Sequence, residues 1–159
     1  MVDLYVIEGN QGAGKSTLIC HLTGVPRGDR DAHGTSIRDL SIQSGRIITA
    51  LVFYGSPNEK EVDGQVMSPS YIVDIVKSSD SIDAIVLPLR PEGKRESKSD
   101  DYVEKLRALG NIDFIGYAQL GAGPFNVANP PSPIAFPGTP PKPPSNVIAE
   151  AVRQHWGWR

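Results

Sequence analysis

A glycine-rich run set between an apolar hexamer and a helix-forming segment constrains this chain more than any other feature. Val2 to Ile7 (Val-Asp-Leu-Tyr-Val-Ile) is mostly apolar without clean alternation, the pattern of a strand buried on both faces of a parallel sheet. It leads into Glu8-Gly9-Asn10-Gln11-Gly12-Ala13-Gly14-Lys15-Ser16-Thr17. Glycines at this spacing allow backbone angles that turn successive N–H groups inward, forming a nest for anionic oxygens. Lys15 to Leu22 reads as a helix stopped at Gly24, and its positive end points at the same nest.

Gly9 to Ser16 fits G-x-x-x-x-G-K-[ST] and so resembles the Walker A loop of the P-loop NTPases,. That resemblance implies a nucleoside triphosphate held by Gly9, Asn10, Gln11, Gly12, Ala13, Gly14, Lys15, Ser16 and Thr17. Lys15 is expected to reach the β- and γ-phosphates as a point charge. The Ser16 hydroxyl is expected to ligate Mg²⁺ between them, and Thr17 to bind the α-phosphate or cap the helix.

The remaining pattern alternates strands with helices. Thr35–Ile42 and Arg46–Tyr54 read as a hairpin turning at Gln43-Ser44-Gly45, and 55–67 as loop,. Ser68-Pro69 starts a helix to Ser79. Ile82–Leu89 is a second buried strand, Ser99–Leu109 a helix stopped by Gly110, and Ile112–Ala118 a further strand. This order predicts an α/β fold, the three-layer α/β/α sandwich of P-loop NTPases with a mainly parallel sheet.

Across about the first 120 residues the order also resembles the Ras-like and translation-factor-like GTPases. In that family a switch-loop threonine binds Mg²⁺ and senses the γ-phosphate, which by position implies a catalytic and metal role for Thr35 beside Lys15 and Ser16. Two family motifs are degenerate. Tyr54-Gly55-Ser56-Pro57 stands where D-x-x-G belongs, and Gln119-Leu120-Gly121-Ala122 where the guanine-reading [NT]-K-x-D belongs. ATP is therefore favoured over GTP, and hydrolysis is expected to be slow or partner-dependent. Substitute acids are Glu8, Asp29, Asp31, Asp39, Glu59, Glu61 and Asp63, whereas Asp83 lies at the wrong end of its strand.

Glu8-Gly9-Asn10 before the loop is also similar to the opening of deoxynucleoside and thymidylate kinases. On that resemblance the basic loop Arg90 to Lys98, with Arg90, Lys94 and Arg95, would close over phosphate. A nucleotide-dependent switch or weak NTPase is the leading expectation. A small-molecule kinase and a non-hydrolysing scaffold are the alternatives.

From Pro124 to Pro144 the chain is rich in proline and favours extended polyproline geometry over sheet or helix. It divides the chain into a nucleotide-binding body, 1–121, and a strap with a final helix, 122–159. The strap is expected to lie on the body through Phe125, Ile134 and Phe136. The alternative is docking of a proline-binding partner at Pro137–Pro140 or Pro141–Pro144. Ser145 or Asn146 should cap the last helix, with Val147, Ile148, Ala151, Val152, His155 and Trp156 on its apolar face, which packs on the body or on a partner.

Composition narrows the remaining classes. A net charge of −2 gives no strong nucleic-acid signal,. No apolar run approaches the ~18 residues of a membrane span, and the opening residues lack a signal-peptide pattern, so a cytoplasmic protein is expected. Cys20, the one cysteine, reads as a small core residue, and His21, His33 and His155 show no ligand spacing.

Overall fold

The computed structural model describes residues 2–10, 12–24, 35–42, 44–58, 61–62, 65–79, 81–91, 98–110, 112–121, 133–138 and 140–158. Its strands are β1 (Val2–Gly9), β2 (Thr35–Ser41), β3 (Ile47–Phe53), β4 (Glu61–Val62), β5 (Gln65–Val66), β6 (Ala84–Leu89), β7 (Ile112–Leu120) and β8 (Pro133–Phe136). Four helices are described: α1 (Lys15–Thr23), α2 (Pro69–Ser78), α3 (Ser99–Gly110) and α4 (Ser145–Trp156).

Six strands form one sheet in the order β2-β3-β6-β1-β7-β8. Only β2, paired with β3 as the expected hairpin, runs against the others. The strand leading into the glycine loop therefore lies inside the sheet, flanked by β6 and β7. Its side chains divide between two cores. Tyr5 and Ile7 join Leu18, Ile19 and Leu22 of α1 and Ile148, Ala149 and Val152 of α4. Leu4 and Val6 join Ile72 and Val73 of α2 and Tyr102, Val103 and Leu106 of α3. A strand covered on both faces does not alternate apolar with polar residues, which explains the mostly apolar run at Val2–Ile7, interrupted at Asp3 alone,.

The structure corrects the sequence reading in several places. The proline-rich segment does enter the sheet: Pro133–Phe136 pairs in parallel with Tyr117–Leu120. Pro133 is tolerated because it opens an edge strand, where a missing N–H breaks no interior ladder. Ile134 and Phe136 pack on the α1/α4 core, as expected of a strap, whereas Phe125 lies outside the described residues. Residues 55–67 include a small hairpin, β4–β5. Helix α4 begins at Ser145 with Pro144 in the capping position and no side-chain cap. Its buried face is Ile148, Ala149, Val152 and Trp156, while Val147 is exposed. A ring cluster sets this roll: Trp156 and Trp158 lie 5.0 and 4.8 Å from Tyr5, centroid to centroid. None of the described helices is long and apolar enough to cross a membrane.

Candidate functional site

In a sheet of this kind the carboxyl ends of the parallel strands, where loops lead into helices, are the usual ligand side. Among the described residues the buried polar side chains gather at that end: Glu8, Lys15, Ser56, Asn58, Ser99 and Gln119.

The glycine loop spans the end of β1 and the start of α1. Gly9 is needed for close approach, since a Cβ there would stand 3.1 Å from Ala13 Cβ and 3.2 Å from the Leu120 carbonyl oxygen. Gly12 and Gly14 have φ of 80° and 96°, left-handed angles that L side chains rarely adopt. The Ala13 N–H donates to the Asn10 carbonyl at 3.1 Å, tightening the turn. Gly14 occupies the N-cap of α1, so no side chain caps its first turn, and that turn carries no acid.

Lys15 is 8% exposed. Its ammonium donates to the carbonyls of Gly9 at 2.5 Å and Asn10 at 3.1 Å, which seats the cation over the loop. The Ser16 hydroxyl donates to the Tyr54 carbonyl at 2.6 Å, at the carboxyl end of β3 and two strands from β1. Thr17 is partly buried on the same turn. Gln11 lies outside the described residues. Thr35 opens β2 in register with Phe53, the residue before Tyr54. Through that pairing Thr35 lies at the same end of the sheet as Ser16, within about 10 Å by strand spacing.

The acids are placed less favourably. Glu8 is fully buried on the α3 side of β1, where it accepts from Ser99 Oγ at 2.6 Å, from the Tyr117 hydroxyl and from Gln119 Nε2 at 3.5 Å. It does not face the α1 side of the sheet. Asp39 accepts from Thr49 Oγ1 at 2.9 Å, four residues along β2 from Thr35 and so away from the loop. Asp83 accepts from the Thr49 N–H at 2.9 Å, at the amino ends of the strands. Asp29, Asp31, Glu59, Asp63, Lys94 and Arg95 lie outside the described residues, as does the Glu61 side chain. No cluster of three metal-ligating side chains occurs among the described residues. Arg90 follows β6 on the ligand side, with its backbone N–H and carbonyl both bonded to the buried Asn58 side chain. Gln119 and Leu120 are still strand residues of β7.

Sequence reasoning missed two tail residues. A Cβ on Gly138 would stand 2.9 Å from the Leu120 carbonyl oxygen, so the tail presses on the same strand end as Gly9. Lys142 donates from Nζ to the Ala13 carbonyl at 3.0 Å. More than a hundred residues separate the partners, and no local pattern encodes the contact. The chain matches no family model, no curated protein and no solved structure in comparisons with known proteins.

Proposed function

We propose that the chain is a P-loop nucleoside triphosphate-binding protein, acting as a nucleotide-dependent switch or weak NTPase. The observation that carries this reading is the buried Lys15 ammonium, held by loop carbonyls at the uncapped end of α1. A cation at the positive end of a helix is adverse by itself, and a bound anion relieves it. The left-handed glycines give the loop the backbone form of an anion nest.

In this reading the loop amides and Lys15 hold the β- and γ-phosphates, and Thr17 serves the α-phosphate. Magnesium prefers few protein ligands and retains waters and phosphate oxygens, so one hydroxyl at Ser16 suits it. Thr35, whose backbone stands at the same end of the sheet, is the second residue assigned to the metal and the γ-phosphate. Such an ion supplies charge neutralisation on the phosphates. Tyr54, whose carbonyl Ser16 contacts, stands where a carboxylate would orient metal or water. Hydrolysis by the isolated chain is therefore slow. With Gln119 and Leu120 in strand and no aspartate in Gln119-Leu120-Gly121-Ala122, the guanine-reading position is unfilled, which favours ATP.

A small-molecule phosphotransferase is the second reading. The buried polar group of Glu8, Ser99, Tyr117 and Gln119 favours it, because it lies beside the loop on the face opposite α1.

The test is to incubate the full chain with Mg²⁺-ATP and Mg²⁺-GTP and to analyse products alongside equilibrium binding. Binding with slow release of free phosphate supports the switch or weak NTPase. Transfer of label to an added hydroxyl compound supports the phosphotransferase. Absence of binding to either nucleotide overturns both.

A further inference from the structure

The tail delivers a second cation to the glycine loop. Strand β8 fixes the tail against β7, with Leu120 opposite Phe136 and the Gly121 N–H donating to the Phe136 carbonyl at 2.8 Å. Gly138 packs directly on the end of β7. The segment Pro140-Pro141-Lys142-Pro143-Pro144 then runs into α4, which is seated in the α1 core. Prolines on both sides of Lys142 restrict its backbone, so little conformational freedom is lost in presenting the side chain.

Lys142 Nζ donates to the Ala13 carbonyl, and a methyl group built on Gly14 would stand 3.6 Å from it. An ammonium carries three donors, and this carbonyl takes one. No carboxylate among the described residues forms an ion pair with Lys142, and the first turn of α1 carries no acid. Two lysines thus converge on the positive end of one helix, one from the loop and one from a segment more than a hundred residues later. For folding alone this is unfavourable.

We propose that Lys142 is a second phosphate-binding cation of the site, donating to a non-bridging oxygen of a bound nucleoside di- or triphosphate. This rests on the triphosphate-binding reading above. On binding, Lys142 adds a phosphate oxygen to the Ala13 carbonyl or exchanges one for the other, and the tail becomes clamped across the loop.

The experiment measures Mg²⁺-ATP and Mg²⁺-ADP affinity for the native chain, Lys142→Met and Lys142→Arg, with thermal stability in the absence of nucleotide. Methionine keeps the stem and removes the charge. We expect Lys142→Met to weaken ATP binding about ten-fold or more, with nucleotide-free stability unchanged or raised, and Lys142→Arg to bind within a few-fold of the native chain. In the native chain, bound ATP should also protect Lys142 from an amine-acylating reagent, as read by peptide mass. That measurement decides the matter if Lys142→Met does not fold. Undiminished ATP affinity in Lys142→Met, or undiminished labelling of Lys142 in saturated native chain, overturns the proposal while leaving the loop reading intact. Failure of the native chain to bind either nucleotide overturns both.

Discussion

The Ser16 hydroxyl donates to the main-chain carbonyl of Tyr54 across 2.6 Å, tying the first turn of α1 to the carboxyl end of β3. The bond passes over β6 and links the glycine loop to the carboxyl end of β3. Ser16→Ala deletes the donor and so this hydrogen bond, at a cost of about 0.5–1.5 kcal/mol. We expect the same variant to lose the magnesium-dependent part of nucleotide affinity while retaining the magnesium-independent part. Titrations with and without Mg²⁺ check this, and an unchanged magnesium effect would remove Ser16 from the metal site.

Gly9→Ala tests the packing under the loop. The new methyl meets Ala13 Cβ, the Leu120 carbonyl oxygen and Leu120 Cβ at 3.1–3.3 Å, so a strand end must shift. Overpacking of this kind costs about 1–3 kcal/mol. We expect a lower denaturation midpoint and weaker nucleotide binding. Gly55→Ala is the control: a Cβ there meets nothing within 4 Å, and stability should change by less than ~1 kcal/mol.

Glu8→Gln separates the buried acid from the proposed magnesium site. The carboxylate accepts from three donors, and a carboxamide turns one N–H₂ toward them. We expect a loss of about 1–3 kcal/mol in stability. The magnesium dependence of binding should match that of the native chain, in contrast to Ser16→Ala. A selective loss of the magnesium effect in Glu8→Gln would make Glu8 part of the metal site after all.

Tyr102 sets an alkaline limit on the fold. Burial raises its phenol pKa well above the ordinary value of 10, and its hydroxyl donates to the Met67 carbonyl at 2.6 Å. Burial likewise raises Tyr5. Above pH ~10 the unfolded chain releases these protons while the folded chain keeps them. Stability present below pH 10 is therefore lost as pH rises, at up to ~1.4 kcal/mol per pH unit for each group. Urea midpoints between pH 8 and 11 should show a shallower decline in Tyr102→Phe than in the native chain.

The strand–loop–helix unit and the hairpin were legible because their determinants are local. The apolar run at Val2–Ile7, the glycines at 9, 12 and 14, and the turn at Ser44-Gly45 each specify backbone form over a few residues,. The tail was not legible, because its pairing depends on a distant strand. Pro133–Phe136 becomes strand only where Tyr117–Leu120 offers an unpaired edge. The roll of α4 likewise follows from Tyr5 receiving Trp156 and Trp158, which moves Ala149 inward in place of Val147. Glu8 reads in sequence as an acid beside the phosphates. Strand alternation turns it to the α3 face instead, where Ser99 and Tyr117 receive it.

The most direct measurement compares Mg²⁺-ATP and Mg²⁺-GTP binding by the native chain and by Lys15→Ala, with folding of both checked by circular dichroism. We expect the native chain to bind triphosphate, ATP more tightly than GTP, and the folded Lys15→Ala chain to bind at least about ten-fold more weakly. Equal affinity in the two chains, or none in the native chain, would contradict phosphate binding at this loop.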